Sequence, residues 1–166
     1  MKKVSSFIVP IWMLAVVALD QLTKIMVLAN FNLYESSVVI PGFFNLTYIT
    51  NTGAAFGILA GEQSMLRQAF FIGVAMAALL VMFFSYRHFK EQGRMFVHGI
   101  GMIAGGAIGN LIDRLRYGSV VDFLDFHVRG YHWPAFNVAD SAITVGVALF
   151  ILGSLLAPPA KEAGGE

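Results

Sequence analysis

The sequence predicts a mainly α membrane protein: four transmembrane helices with a small extracytoplasmic β sheet. Three observations predict it. The chain is 57% hydrophobic and only 13% charged, with a mean hydropathy of +0.71. Soluble domains carry about 25% charged residues, so a chain of 166 residues could not hide that much apolar surface in water. Four apolar runs stand out, each near the roughly 20 residues that a bilayer-spanning helix needs. Between the first two lies a long stretch, 30–64, without a single Lys or Arg. By length the chain is one domain, 1–166.

The first run covers about 7–28, with Lys2 and Lys3 ahead of it. A basic start and an apolar stretch also describe a cleaved leader. Here Asp20-Gln21-Leu22-Thr23-Lys24 stands where a small-residue cleavage site would, so the run is read as a span. The other runs cover about 65–86, 95–112 and 138–156. Four spans put both termini on one side. Lys2, Lys3, Arg87, Lys90, Arg94 and Lys161 fall on that side, and Lys24, Arg67, Arg114, Arg116 and Arg129 on the other. The totals barely differ, but the leading edge of the first helix carries two lysines and no acid. The positive-inside rule then places both termini in the cytoplasm and the segments 30–64 and 113–137 outside.

In the first outer segment, Val38-Val39-Ile40, Pro41-Gly42 and residues 43–50 read as strand, turn and strand. Alternation points Phe44, Leu46 and Tyr48 one way and Asn45, Thr47 and Asn51 the other, with Ile49 breaking the pattern. Asn51-Thr52-Gly53 is a turn signal. Ala54-Ala55-Phe56-Gly57 is small and smooth, suited to close approach by a partner.

Ionisable residues inside spans are costly and rarely idle. Asp20 and Lys24, four apart, share a helix face. They read either as a structural pair at the outer end of the first helix or as part of the mouth of a site. Gly101, Gly105 and Gly109, with Gly106 beside them, form a stripe for close helix packing. Asp113 and Arg114 end that helix as ordinary charges, or else the Asn110 amide and the Arg114 guanidinium, beside two carboxylates, orient a substrate carbonyl. His98 reads as a hydrogen-bonded structural residue. His127 and His132 lie near Asp122 and Asp125, but their spacing matches no metal-ligand pattern, and no metal is assigned. With no Cys there is no thiolate nucleophile, and no Ser sits in a Gly-x-Ser-x-Gly elbow. No basic cluster could track a phosphate backbone, so nucleic acid is not a partner.

Two acids remain. Asn137 reads as the N-cap of the last helix, which sets Asp140 in its first turn, where the helix dipole favours a carboxylate. Asp122 lies in an extended or irregular segment ending at the same surface, with Asp125 as its competitor. Brought together, two such carboxyls share one proton and can hydrolyse a peptide with water alone.

At these residues the sequence resembles the lipoprotein signal peptidases, the type II signal peptidases of bacteria. The resemblance is carried in order by Asp20-Gln21-Leu22-Thr23-Lys24, Asn51-Thr52-Gly53-Ala54-Ala55-Phe56 and Gly105-Gly106-Ala107-Ile108-Gly109-Asn110-Leu111-Ile112-Asp113-Arg114. It continues through Val120-Val121-Asp122-Phe123 and Pro134-Ala135-Phe136-Asn137-Val138-Ala139-Asp140-Ser141. It implies an intramembrane aspartyl protease of the bacterial inner membrane. Such enzymes remove the signal peptide of prolipoproteins just before a diacylglyceryl-modified cysteine. It implies that Asp122 and Asp140 are catalytic, and that Asn51, Gly53, Asn110, Arg114 and Asn137 line the site. Asp20 and Lys24 support it. It implies no cofactor, a monomer working among membrane lipids, and sensitivity to a globomycin-type inhibitor. Segment 30–64 becomes a platform and 111–137 a gate. The rival for acids in a membrane is a proton-coupled transporter or channel, but no internal repeat is visible and the acids fall at span ends.

Overall fold

The computed structural model describes residues 7–53, 61 and 64–156. The residues 54–57 and the lysines at 2, 3 and 161, used above, lie outside the described residues. The order is α1 (Ile8–Asn30), β1 (Ser36–Ile40), β2 (Phe44–Asn51), α2 (Met65–Gln92), α3 (Arg94–Tyr117), β3 (Val120–Val128), β4 (Tyr131–His132) and α4 (Val138–Leu156). All four helices are long and apolar enough to cross a membrane. At a rise of about 1.5 Å per residue, even α4, with 19 residues, nearly matches the roughly 30 Å hydrocarbon core. The strands all connect the same ends of the helices, so the sheet caps one end of the bundle.

Helix α3 is the hub and packs against α1, α2 and α4. Its glycines make this possible. A Cβ on Gly101 would come 2.7 Å from the Trp12 Cβ, and one on Gly105 2.8 Å from the Val16 Cβ, both on α1. One on Gly106 would strike the Ala139 carbonyl of α4. Close backbone approach is how helices gain contact energy in lipid, where apolar side chains have no water to escape. Helix α2 leans mainly on α3 and leaves Phe70, Val74, Leu80, Val81, Phe83 and Phe84 exposed, as a lipid-facing surface requires.

The sheet is antiparallel throughout, in the order β1-β2-β3-β4. The β1–β2 turn falls where Pro41-Gly42 predicts it. Gly42 has φ 75° and Phe43 N–H donates to Ile40 O at 3.1 Å, the geometry of a turn with glycine third. A second tight hairpin joins β3 to β4 through Arg129 and Gly130, at φ 52° and 82°.

Two expectations change here. A register shift between Leu46 and Ile49 inserts one extra residue into β2 against β3. Such a bulge turns the strand beyond it onto the other face. Asn45 and Asn51 therefore face opposite sides, not the same side, and the break at Ile49 is where the phase changes. Segment 113–137 is also not irregular throughout. Its middle is β3, with Val120, Val121, Asp122 and Phe123 all buried. A strand covered on both faces shows no polar–apolar alternation, which hid it in the sequence.

Candidate active site

Asp122 sits mid-strand in β3, opposite Ile49, and is 2% exposed. Both its oxygens accept from amides: Oδ1 from Asn137 Nδ2 at 2.7 Å and Oδ2 from Asn51 Nδ2 at 3.1 Å. Burial pushes its carboxyl up from the ordinary value to about 7. The Asp140 charge adds to the rise, while the two amides and the Lys24 ammonium hold it back.

Asn137 ties this acid to the second one. It caps α4: its Oδ1 accepts the Asp140 N–H at 2.9 Å. Its Nδ2 reaches Asp122 and lies 3.2 Å from both Asn110 Oδ1 and Val121 O. Asn110 Nδ2 donates to Asp140 Oδ1 at 2.8 Å. Two carboxyls from a strand and a helix end are thus joined through two neutral side chains. Asp140 Oδ2 has no hydrogen-bond partner among the described residues.

Arg114 and Gly53 meet one helical turn further along. Arg114 Nη2 donates to Gly53 O at 2.6 Å, and its guanidinium lies 5.0 Å from the centre of the Phe71 ring. Gly53 N–H in turn donates to Asn51 Oδ1 at 2.9 Å, so one chain of contacts fixes the Asn51 amide. Asn51 and Asp140 line two adjoining cavities. One, of about 330 Å³, runs between α2, α3 and α4 past Asn110 and Arg114. The other, of about 420 Å³, is closed by Trp133, Pro134, Ala135 and Phe136. An apolar cavity with a few converging polar groups is the usual form of a binding site.

Asp20 and Lys24 form a buried cluster with Asp113. Lys24 Nζ lies 2.9 Å from Asp20 Oδ2, 2.8 Å from Asp113 Oδ2 and 3.0 Å from Asn110 Oδ1, which uses all three of its donors. The pair is not a solvated helix end, because Asp20 and Lys24 are 0% and 2% exposed. Gly109 makes room for it: a Cβ there would come 2.6 Å from Asp20 Oδ2.

Asp125, the competing acid, lies on the other face of β3. It is opposite Asn45 and accepts from Asn45 Nδ2 at 2.9 Å and pairs with His132 Nδ1 at 2.8 Å. Burial raises its carboxyl, but the bonds from His132 and Asn45 outweigh that and hold it below the usual carboxylate range. His98 accepts the Trp12 indole N–H at 2.8 Å, between α1 and α3.

The sequence did not single out Gln21, which donates to Asp20 Oδ2 and Asp113 Oδ1 at 3.2 and 2.9 Å. Helix-end position alone makes Asp113 read as an ordinary charge, and no motif marks Phe71 or Gln68, whose Nε2 donates to Arg114 O at 2.8 Å. The signal for Asp113 is helical spacing: Gly109 and Asp113 are four apart, on the face that meets α1.

Comparison with known proteins adds family evidence to this geometry. Residues 12–156 match the family described as signal peptidase (SPase) II. The lipoprotein signal peptidase of Desulforapulum autotrophicum is 50% identical over 136 residues, covering 82% of this chain and 84% of its own. That of Ralstonia nicotianae is 50% identical over 145 residues, covering 87% of this chain and 80% of its own. A bacterial membrane enzyme solved by the in meso method at 2.3 Å superposes with a TM-score of 0.83 at 34% identity, over 99% of this chain and 98% of that one. A second such structure, at 1.9 Å, gives 0.77 at 35% identity over 93% and 96%.

Proposed function

The chain belongs to the signal peptidase II family, and on that premise we propose that it cleaves by an aspartic mechanism in which Asp122 and Asp140 activate one water. It is a bacterial protease that removes signal peptides from prolipoproteins, and a multi-pass protein of the inner membrane. The observation that carries the aspartic reading is Asn137, which donates to Asp122 Oδ1 with one end of its amide and accepts the Asp140 N–H with the other.

The two carboxyls hold one proton between them, because like charges at short range cannot both ionise. Asp122, with its carboxyl raised to about 7, carries that proton at rest. Asp140, in the first turn of α4, is the ionised partner and takes a proton from the attacking water. Asp122 donates to the carbonyl oxygen as the tetrahedral intermediate forms. A proton then passes to the leaving amine, and no covalent enzyme intermediate arises. Asn51, Asn110 and Asn137 hold the carboxyls in line. Arg114, fixed to Gly53, offers a positive field at the cavity wall where the carbonyl oxygen gains charge.

The bond cut is the one before a diacylglyceryl-modified cysteine. The apolar cavity walls, facing α2 and the 133–136 segment, suit the acyl chains and signal helix of a substrate that stays in the bilayer. Both termini are cytoplasmic, the sheet lies at the outer face, the enzyme acts as a monomer, and globomycin-type inhibitors occupy the same cavities.

The test is cleavage of a diacylglyceryl prolipoprotein by the purified chain, with Asp122→Asn and Asp140→Asn beside it. Cleavage that survives EDTA but is lost in both variants supports the mechanism. Turnover near wild type in either folded variant removes that residue from the pair.

A further inference from the structure

The Asp20–Lys24–Asp113 cluster makes and breaks no bond, yet it grips the backbone on both sides of the site. Resting on the aspartic reading above, we propose that Asp20 and Asp113, held together by Lys24, are positioning residues that fix the separation of Asp122 and Asp140.

The contacts run in one line. Asp113 Oδ2 accepts the N–H of Val121, the residue before Asp122, at 3.0 Å. Asp20 Oδ1 accepts the N–H of Ala139, the residue before Asp140, at 2.9 Å. Lys24 Nζ joins the two carboxylates, and Gln21 Nε2 joins them a second time. A strut from α1 and α3 therefore ends on the two peptide groups that carry the two acids. The third Lys24 donor goes to Asn110, which holds Asp140 Oδ1 from the other side.

The charge count supports positioning over simple stability. Two carboxylates face one ammonium, and all three are at most 2% exposed. Buried ions are often replaced by apolar residues at no loss of stability, so stability alone gives no reason for a surplus anion. Each carboxylate instead satisfies a backbone N–H. That of Ala139 has no acceptor within its own helix, because it lies in the first turn of α4. Catalytic groups must be held to about 0.5 Å, and a shift of about 1 Å can cost roughly a hundredfold in rate.

Asp113→Asn and Asp20→Asn each keep an oxygen for the backbone N–H but lose the bond to Lys24 as an ion pair. Each is purified as the full chain, melted, and assayed on a diacylglyceryl prolipoprotein across pH. The expected result is a kcat lower by about tenfold or more with KM within about twofold. The alkaline limb of kcat should also move to lower pH. The charges facing the pair are Lys24 and Asp20 from α1 and Asp113 and Arg114 from α3, while α2 brings the uncharged Phe71. Removing one anion leaves Lys24 less compensated, so the shared proton leaves more easily. The limb reports the lost charge, and the fall in kcat below the limb at constant KM reports the lost position. Unchanged kcat and an unchanged limb in both variants, with Asp122→Asn inactive, overturn the proposal and leave the aspartic reading standing. Turnover in Asp122→Asn or Asp140→Asn removes the reading and the proposal together. Failure of both variants to fold reduces the cluster to a stability element and also overturns it.

Discussion

Asp122 and Asp125 sit three residues apart on one strand and meet opposite conditions. The first faces the helix bundle and receives hydrogen bonds only from neutral amides. The second faces away, receives one amide, and meets an imidazole that is itself about half exposed. Burial acts on both in the same direction. The balance differs: at Asp122 burial is the largest cause of the rise and the Asp140 charge adds to it, whereas at Asp125 the bonds from His132 and Asn45 outweigh burial and bring the carboxyl low. A buried acid surrounded by amides keeps a proton available near neutral pH. An acid that pairs with an imidazole and accepts from an amide gives its proton up and becomes an anchor.

The difference can be broken most completely at Asp122. Asp122→Asn keeps one of the two amide contacts, since an amide has a single acceptor oxygen, and removes the proton, so turnover should fall by roughly a thousandfold or more in a variant that still melts cooperatively. Prolipoprotein cleavage and a thermal melt check it. Next in size is pH. The carboxyl of Asp122 is raised, so its proton is present below about 7 and lost above it. Activity should fall about tenfold per unit above that point, which a kcat profile from pH 6 to 9 would register. Asn137→Ala removes the group that touches both acids. It should lower kcat by about tenfold or more and cost about 1 kcal/mol for the lost helix cap, read from turnover and from the melt.

Smaller effects belong to the other face. Asp125→Asn should leave turnover within about twofold and stability within about 1 kcal/mol, because its imidazole partner is half exposed and the amide can still accept from Asn45. His132→Asn gives Asp125 the amide surroundings of Asp122 without a second carboxylate. Its carboxyl should rise toward the ordinary range, visible by NMR titration of labelled aspartate, with cleavage unchanged. A large activity loss from either substitution would abolish the distinction between the two faces.

Much of this architecture was legible in the sequence. The four apolar runs mark the helices because a bilayer leaves few alternatives. Pro41-Gly42 marks a turn because glycine alone takes its dihedral cheaply, and Asn137 marks a helix start. The faces of β2 were not legible. A bulge is a fact of register between two strands, and the broken alternation at Ile49 marks its place without showing which faces result. The segment around Asp122 reads only as extended or irregular, not as a central strand, because Val120-Val121-Asp122-Phe123 is buried on both sides and shows no alternation. Asp113 was misread because a charge near a helix end is usually solvated, and only the packing against α1 reveals the ammonium it meets.

Gly109 has a consequence for how such a chain can change over generations. The space above it is filled by the Asp20 carboxylate, so no side chain fits there until that carboxylate is gone. Asp20 cannot leave alone, because Lys24 would lose one of its two counterions in a site buried from solvent. Each single step is penalised before the next one relieves it. Helix contact and buried charge are therefore inherited as one character, and drift has no gradual path between this arrangement and an apolar one.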